Sequence, residues 1–538
     1  MKTKTLFTFL CLCCFTITTR ANNTLFELSK NSDIYNSVMQ ELNLFYVDSI
    51  NNDDLSEKTI NAVLSTLDPY TVYIPEKQAE ELKLMTSGEY GGIGSVIMQH
   101  DNNVVISEPY EGFPAQKMDL RCGDIIVSID GKNTENKSTA DVSSMLKGAP
   151  GTSFQIVVKR PGEKKLIKKT MIRETIQFHP ISYYTTFSDS IGYILLSEFN
   201  DKAYSEFKAA LSFLMNKKHI KSLIIDLRGN GGGLIDEAVK IASLFVEKGT
   251  EIVSTKGRTN NNNFSYKTSK EPMALNLPLA ILVDRSSASA AEILSGAFQD
   301  LDRATIFGER TFGKGLVQSI RPIKYKGHLK ITTAKYYTPS GRCVQAIDYT
   351  NRNEDGSVGR IPDSLTNTFK TRIGRTVRDG GGILPDSIIT NEKQSINIAF
   401  YLYTENIIFD YATTYARKYK QIDSPETFTI SDKDYELFME FVQERNPKYN
   451  LQSEKILKNL EEIVKFEGYN EHVEEEIKSL HDKLKPNLNK DLLLFKKDII
   501  DLLNHEIIKR YYYQKGTIRY GLRNDAWLNK AIDFLKQF

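Results

Sequence analysis

Metal-binding side chains are scarce in this chain of 538 residues, which has five cysteines and seven histidines. No Cys/His cluster shows metal-ligand spacing, and this excludes a structural zinc module. Net charge is scarce as well. Lys and Arg number 70 against 68 Asp and Glu, leaving +2, so nothing directs the chain toward nucleic acid or an anionic surface. Neither a Walker loop nor a G-x-G-x-x-G fingerprint is present, and nucleotide binding has no motif to rest on. A G-x-S-x-G nucleophile elbow is also missing.

The conspicuous apolar run is short and lies at the start. Lys2 and Lys4 precede residues 6–17, followed by Thr18-Thr19-Arg20-Ala21. A basic stretch, an apolar stretch and small residues at a cleavage point predict an export signal over 1–21, cut after Ala21. The run is too short for a comfortable membrane span. A lipidated cysteine is the other alternative, but Cys11, Cys13 and Cys14 lack the usual small residue before them. Cleavage removes three cations and no anion, taking the formal charge from +2 to −1. Cys122 and Cys343 remain and are expected as two isolated thiols in a protein working outside the cytoplasm.

The length implies several domains. Residues 22–85 carry helical periodicity through Ile34, Val38, Leu42 and Phe45, then Ile60, Val63, Leu64 and Leu67. Residues 86–175 change to short strands and turns. A glycine loop (Gly91-Gly92-Ile93-Gly94) precedes strands at 96–98 and 104–106. The run GDIIVSIDG at 123–131 closes on an Asp-Gly turn, and a helix over 140–147 precedes a strand at 154–158. This order resembles a PDZ domain. The resemblance implies capture of a peptide by strand addition, its terminal carboxylate in a cradle of Gly92, Ile93 and Gly94, its last side chain against Val142 and Leu146.

Residues 176–395 read as α/β. Strands are expected at 191–196, 222–227 and 279–283, with helices at 204–215 and 234–246. Residues 255–270 are asparagine-rich and predict an exposed loop. Residues 396–538 are charged and helical, with one-sided apolar stripes and no visible chemistry, so they predict an accessory domain.

Four motifs carry a more specific resemblance: DLRGNGGG at 226–233, SASAAEI at 287–293, TFGKGLVQ at 311–318 and YYTPSGR at 336–342. With the PDZ-like module ahead of them, the chain resembles a C-terminal processing peptidase, or tail-specific protease. It departs from the family's Ser-Ala-Ser-Ala-Ser-Glu at Ala291, which is not the nucleophile position. The resemblance implies a ClpP/crotonase-like α/β core in a multidomain chain with helical amino- and carboxy-terminal segments. It makes Ser289 the nucleophile, Lys314 the general base and Gln318 the residue that orients the lysine.

The residue chemistry is compatible. A serine at a helix N-terminus faces a positive dipole end, and a lysine acts as base once burial lowers its pKa. A carboxylate at 318 would hold the lysine protonated, whereas an amide does not. The N–H of Ala290 and that of a loop glycine, Gly232 first, are the expected oxyanion donors. Glu292 and Asp300 are expected to hold local structure, and Arg228 to pin the glycine loop. Ser286 and Ser287 are rival nucleophiles. A Ser-His-Asp triad is the rival mechanism, although His179, His219 and His328 sit in no motif.

No metal or organic cofactor is expected. The resemblance implies protein substrates with accessible, apolar or unfolded C-terminal tails, met in the periplasm. Membrane association, an adaptor and a homo-oligomer stay open. A catalytically silent PDZ scaffold and an acyl-CoA enzyme on the same core are the alternatives from other classes.

Overall fold

The structure, a computed structural model, describes residues 25–78, 89–188, 190–353, 357–389, 397–449 and 452–538. The expected export signal lies outside the described residues. Two compact units emerge: the smaller takes in 25–76 and 319–331, the larger the described residues of 77–318 and 332–538. In the smaller unit the periodic residues lie on helices over 25–45 and Asn52–Ser65. The second starts at Asn51, whose side chain accepts the Asp54 N–H. The strand Val72–Ile74 pairs antiparallel with His328–Lys330.

The larger unit is built on a six-stranded sheet. Ile181–Phe187 forms an antiparallel edge on Ile191–Leu196; Ser222–Asp226, Leu279–Val283, Thr305–Gly308 and Ser387–Ile388 follow in parallel. Ser222–Asp226 and Leu279–Val283 are buried throughout, as expected where both faces of a parallel sheet are covered. One face packs on helices Ala203–Lys218, Ile235–Ala242 and Ala290–Asp300, through Phe207, Leu211, Ile241 and Phe298. Every residue of Ala290–Asp300 is buried. Its small side chains permit that depth: a Cβ on Gly296 would lie 2.8 Å from Ile383.

The other face is covered from a distance in sequence. The last helix, Ala526–Leu535, sets Trp527, Leu528, Ala531, Ile532 and Leu535 against Tyr193, Ile224, Ala280, Leu282 and Phe307. The carboxy-terminal region thus packs on the core through its last helix. Five of its other helices, Ile398–Thr404, Ile407–Lys418, Asp432–Arg445, Leu488–Leu494 and Lys496–Leu522, close their own core around Tyr435, Phe438, Leu503 and Ile507. Lys496–Leu522 is kinked at Tyr513, which takes the strained φ of 53°. The expected loop at 255–270 is instead a β-hairpin, Glu251–Gly257 with Phe264–Lys267, because Thr255 Oγ1 and the Asn262 and Asn263 amides tie the turn.

The PDZ-like module is a sheet of Ser95–His100, Asn103–Pro109, Ile125–Ile129, Ser153–Lys159 and Ile167–Ile172. Its helix, Thr139–Leu146, begins at a capping box between Ser138 and Asp141. Ile93, Val142 and Leu146 are each at most 5% exposed and share one core with Ile106 and Ile156.

Candidate active site

The turn after Leu279–Val283 is organised by one carboxylate. Asp284 Oδ1 accepts the N–H groups of Ser286 (2.9 Å) and Ser287 (3.0 Å), and the Asp284 carboxylate also accepts that of Gly229 (3.1 Å). Ser287 is fully buried and its hydroxyl donates to the Leu227 carbonyl at 2.8 Å, so it is occupied as a structural group. Ser286 stands exposed on the turn. Ser289 is half-buried, at φ 55° and ψ −115°, immediately before the helix Ala290–Asp300. A serine pays for such a backbone only where the surroundings enforce it, as on the sharp strand-to-helix turn of a nucleophile.

The enforcing group is Glu292. Its buried carboxylate accepts four donors: the Ser289 N–H (3.0 Å), the Lys314 N–H (2.8 Å), the Gly313 N–H (2.7 Å) and the Thr311 hydroxyl (2.5 Å). The first two end on the same oxygen, Oε2, which brings the two backbone nitrogens within about 6 Å of each other. A further bond joins the same two segments, from the Phe312 N–H to the Ser287 carbonyl at 3.0 Å. Burial pushes the Glu292 carboxyl up to about 7, against the four donors that favour its charge. The spacing Ser289-x-x-Glu292 is that of a capping box, the one signal in the sequence that marks this role.

Lys314 is half-buried between two glycines pressed against residues 345–346. The Gly315 N–H donates to Gln345 Oε1 at 2.7 Å, and the Ala346 N–H to the Gly313 carbonyl at 2.9 Å. Gln318 lies on the strand Leu316–Pro322, where its amide donates to Thr332 Oγ1 at 3.2 Å. Buried Tyr336 donates to the Ser289 carbonyl at 3.2 Å.

The glycine loop closes the other side. At Gly232 φ is +100°, and a Cβ there would lie 2.6 Å from Ser289 Cβ and 2.9 Å from the Ala290 N. Only glycine allows that approach. The Gly232 N–H itself donates to Asn230 Oδ1 at 2.8 Å. The Ala290 N–H belongs to the first turn of its helix, where N–H groups have no intrahelical acceptor.

Comparison with known proteins bears on the motifs that line this site. The family described as "Peptidase family S41" matches residues 190–351, a "PDZ domain" matches 105–160, and "Probable PDZ-protease, C-terminal helical domain" matches 398–535. A carboxy-terminal-processing protease of Bartonella bacilliformis is 34% identical over 336 residues, covering 62% of this chain and 76% of its own. The chain belongs to the carboxy-terminal-processing proteases. It is a serine-type peptidase of family S41 with a PDZ domain. A CtpA-like serine protease of Staphylococcus aureus is 32% identical over 59% of this chain and 62% of that protein. Among solved structures, a photosystem II D1 C-terminal processing protease is 26% identical over 67% of this chain and 88% of its own, with a TM-score of 0.37.

Two of the core's three histidines have their own places in the fold. His179 bonds to Glu206 at 2.8 Å, and exposed His219 ends the helix Ala203–Lys218 in a left-handed conformation. Burial raises the thiol pKa of both Cys122 and Cys343, which are unpaired. Among the described residues no His/Cys/Asp/Glu cluster could hold a metal ion, and no helix is long and apolar enough to cross a membrane. Arg228, beside the glycine loop, is held by Asp226 (2.5 Å) and by Asp525 (2.6 Å) from the last helix. A cleft of about 750 Å³ lies between Tyr110–Phe113 of the PDZ domain, the edge strand at Ile181–Tyr184 and the kink at Tyr513.

Proposed function

We propose that the chain is an exported endopeptidase that captures protein C-termini through its PDZ domain and cleaves through an acyl-enzyme on Ser289. The single observation carrying this reading is the shared carboxylate oxygen of Glu292, which fixes the serine and the lysine segments side by side. Lys314, neutral in the reactive state, takes the Ser289 proton as the hydroxyl oxygen attacks the scissile carbonyl. The tetrahedral oxyanion receives the Ala290 N–H. Gly232 provides room beside it, and its own N–H serves as second donor when it turns from Asn230 Oδ1. Lys314 then protonates the leaving amine, and water releases the acyl group by the same route. Gln318, oriented by Thr332, presents its amide oxygen to the lysine amine without adding charge.

The cleft between the PDZ loop and the sheet edge supports a route from capture to cleavage. Its wall at Ser197–Glu198 continues into Phe199, whose N–H bonds the Gly232 carbonyl at 2.9 Å. The bound tail is proposed to lie in the cradle of Gly92, Ile93 and Gly94, with its last side chain against Val142 and Leu146.

A fluorophosphonate probe with an unfolded-tail substrate tests the chemistry. Ser289 should label and the substrate should be cut. Lys314→Ala should lose turnover and keep peptide binding by residues 86–175. Proteolysis by Lys314→Ala above the Ser289→Ala background would rule out the lysine as base.

A further inference from the structure

We infer that Asp525, the N-cap of the last helix, is a positioning residue for the glycine loop that faces Ser289. The inference rests on the Ser289 reading above. The loop from Gly229 to Gly233 contains four glycines in five residues, so it has little stiffness of its own and takes its position from its anchors. Four anchors are visible. Asn230 ties the middle, its amide donating to the Leu196 carbonyl at 2.7 Å and its carbonyl accepting the Ala288 N–H at 2.9 Å. Phe199 ties the far end through Gly232 and Leu234. At the near end Asp284 accepts the Gly229 N–H at 3.1 Å, and Arg228 fixes the residue just before it.

Arg228 is where the carboxy-terminal region enters. Its Nε and Nη2 bond the Asp226 carboxylate at 2.9 and 2.5 Å, and Nη2 also meets Asp525 Oδ2 at 2.6 Å. The guanidinium lies 5.7 Å from the Trp527 ring centre. Burial works against the charge, and the two carboxylates outweigh it. Asp525 has a second duty: Oδ1 accepts the Trp527 and Leu528 N–H groups at 2.9 and 3.0 Å, capping the helix. One carboxylate thus joins the start of the last helix to the residue that begins the glycine loop. A cleft of about 710 Å³ opens beside it, lined by Arg228, Asp284, Glu309 and Asp525, so a guanidinium held by Asp226 alone has room to shift. Such a shift leaves the near end of the loop to the bond from the Gly229 N–H to Asp284. Gly232 then drifts from Ser289, and the loss falls on the chemical step.

Asp525→Asn separates the two duties, because asparagine caps a helix as well as aspartate but carries no charge. On the full chain with an unfolded-tail substrate, kcat and the rate of Ser289 labelling should fall about tenfold or more, with KM and Tm nearly unchanged. Asp525→Glu should recover most of the loss. In an Arg228→Gln background, Asp525→Asn should cost little more, because the effect runs through that arginine. An unchanged kcat, or losses that simply add in the double variant, overturns the inference. If Asp525→Asn folds poorly, the Arg228→Gln cycle is run with Asp525→Glu and Asp525→Ser under the same criteria. Hydrogen exchange over 228–234 reads the loop independently of turnover: faster exchange in Asp525→Asn supports the anchor and unchanged exchange overturns it. A wild-type chain that neither labels nor cuts defeats the Ser289 reading, while that exchange measurement still decides the role of Asp525.

Discussion

Ser289 and Lys314 donate their backbone N–H groups to one and the same oxygen, Oε2 of Glu292. The two residues are 25 apart in sequence, and no direct backbone bond between them is needed to set their spacing. The carboxylate does this because it is acceptor-only and has room for four donors.

Glu292→Gln should therefore retain the fold but lose activity. An amide keeps one oxygen and turns its NH₂ toward groups that are themselves donors, so part of the four-donor set is left unpaired. We expect kcat to fall about a hundredfold, with PDZ peptide affinity unchanged. Wild-type kcat in this variant would show that the carboxylate does not set the geometry.

The same residue predicts a stability profile. Glu292 titrates at about 7 in the folded chain against a reference of 4.5, so between those values the folded state holds a proton that the unfolded state has released. Stability from this group is full below 4.5 and declines as pH rises through about 7, by roughly 3 kcal/mol. Chemical denaturation of wild type and Glu292→Gln from pH 5 to 8 should show the difference shifting steadily in favour of glutamine. A pH-independent difference contradicts the assignment.

Gly232→Ala should abolish labelling of Ser289, because the new Cβ would lie 2.6 Å from Ser289 Cβ at a φ of +100°. At Gly231 a Cβ meets nothing within 4 Å, so Gly231→Ala should cost far less. Equal labelling rates in the two variants would remove the steric argument.

His100, on the PDZ domain, bonds Asp410 of the helical domain at 2.8 Å and lies 3.3 Å from Asp101; Arg445 reaches the other Asp410 oxygen at 3.4 Å. The hydrogen bond to Asp410 raises the imidazole pKa above 6.5. The stability it gives is complete below 6.5 and is lost as pH rises through the raised value. His100→Gln should lower Tm at pH 6 more than at pH 9. The reverse order would mean that the imidazole is neutral at this contact.

A free carboxylate is the feature by which a PDZ cradle recognises a chain end. Amidating the C-terminus of one unfolded substrate should raise KM with little change in kcat. Identical kinetics for the two forms would mean that the PDZ domain is not the tail sensor.

The strands at 191–196, 222–226 and 279–283, the helix after Ser289 and the PDZ order of elements were all legible, because unbroken apolar runs and glycine turns are local signals. The hairpin at 251–267 was hidden, since its polar side chains form the turn through bonds that periodicity does not report. Val142 and Leu146 were visible as apolar helix positions; whether they line an opening or close a core depends on how the helix meets its sheet.

By itself, then, the sequence determined the strand–turn–helix grammar and the four motifs that place Ser289, Lys314, Gln318 and the glycine loop in one family pattern. Tertiary structure alone decided three things: that Glu292 joins Ser289 to Lys314, that the Gly232 N–H is engaged by Asn230, and that Arg228 is shared with Asp525, almost 300 residues further along. The Glu292–Lys314 and Arg228–Asp525 links join groups distant in sequence, the Gly232–Asn230 bond depends on a side-chain orientation within the loop, and side-chain periodicity carries no record of which partner a buried polar group will find.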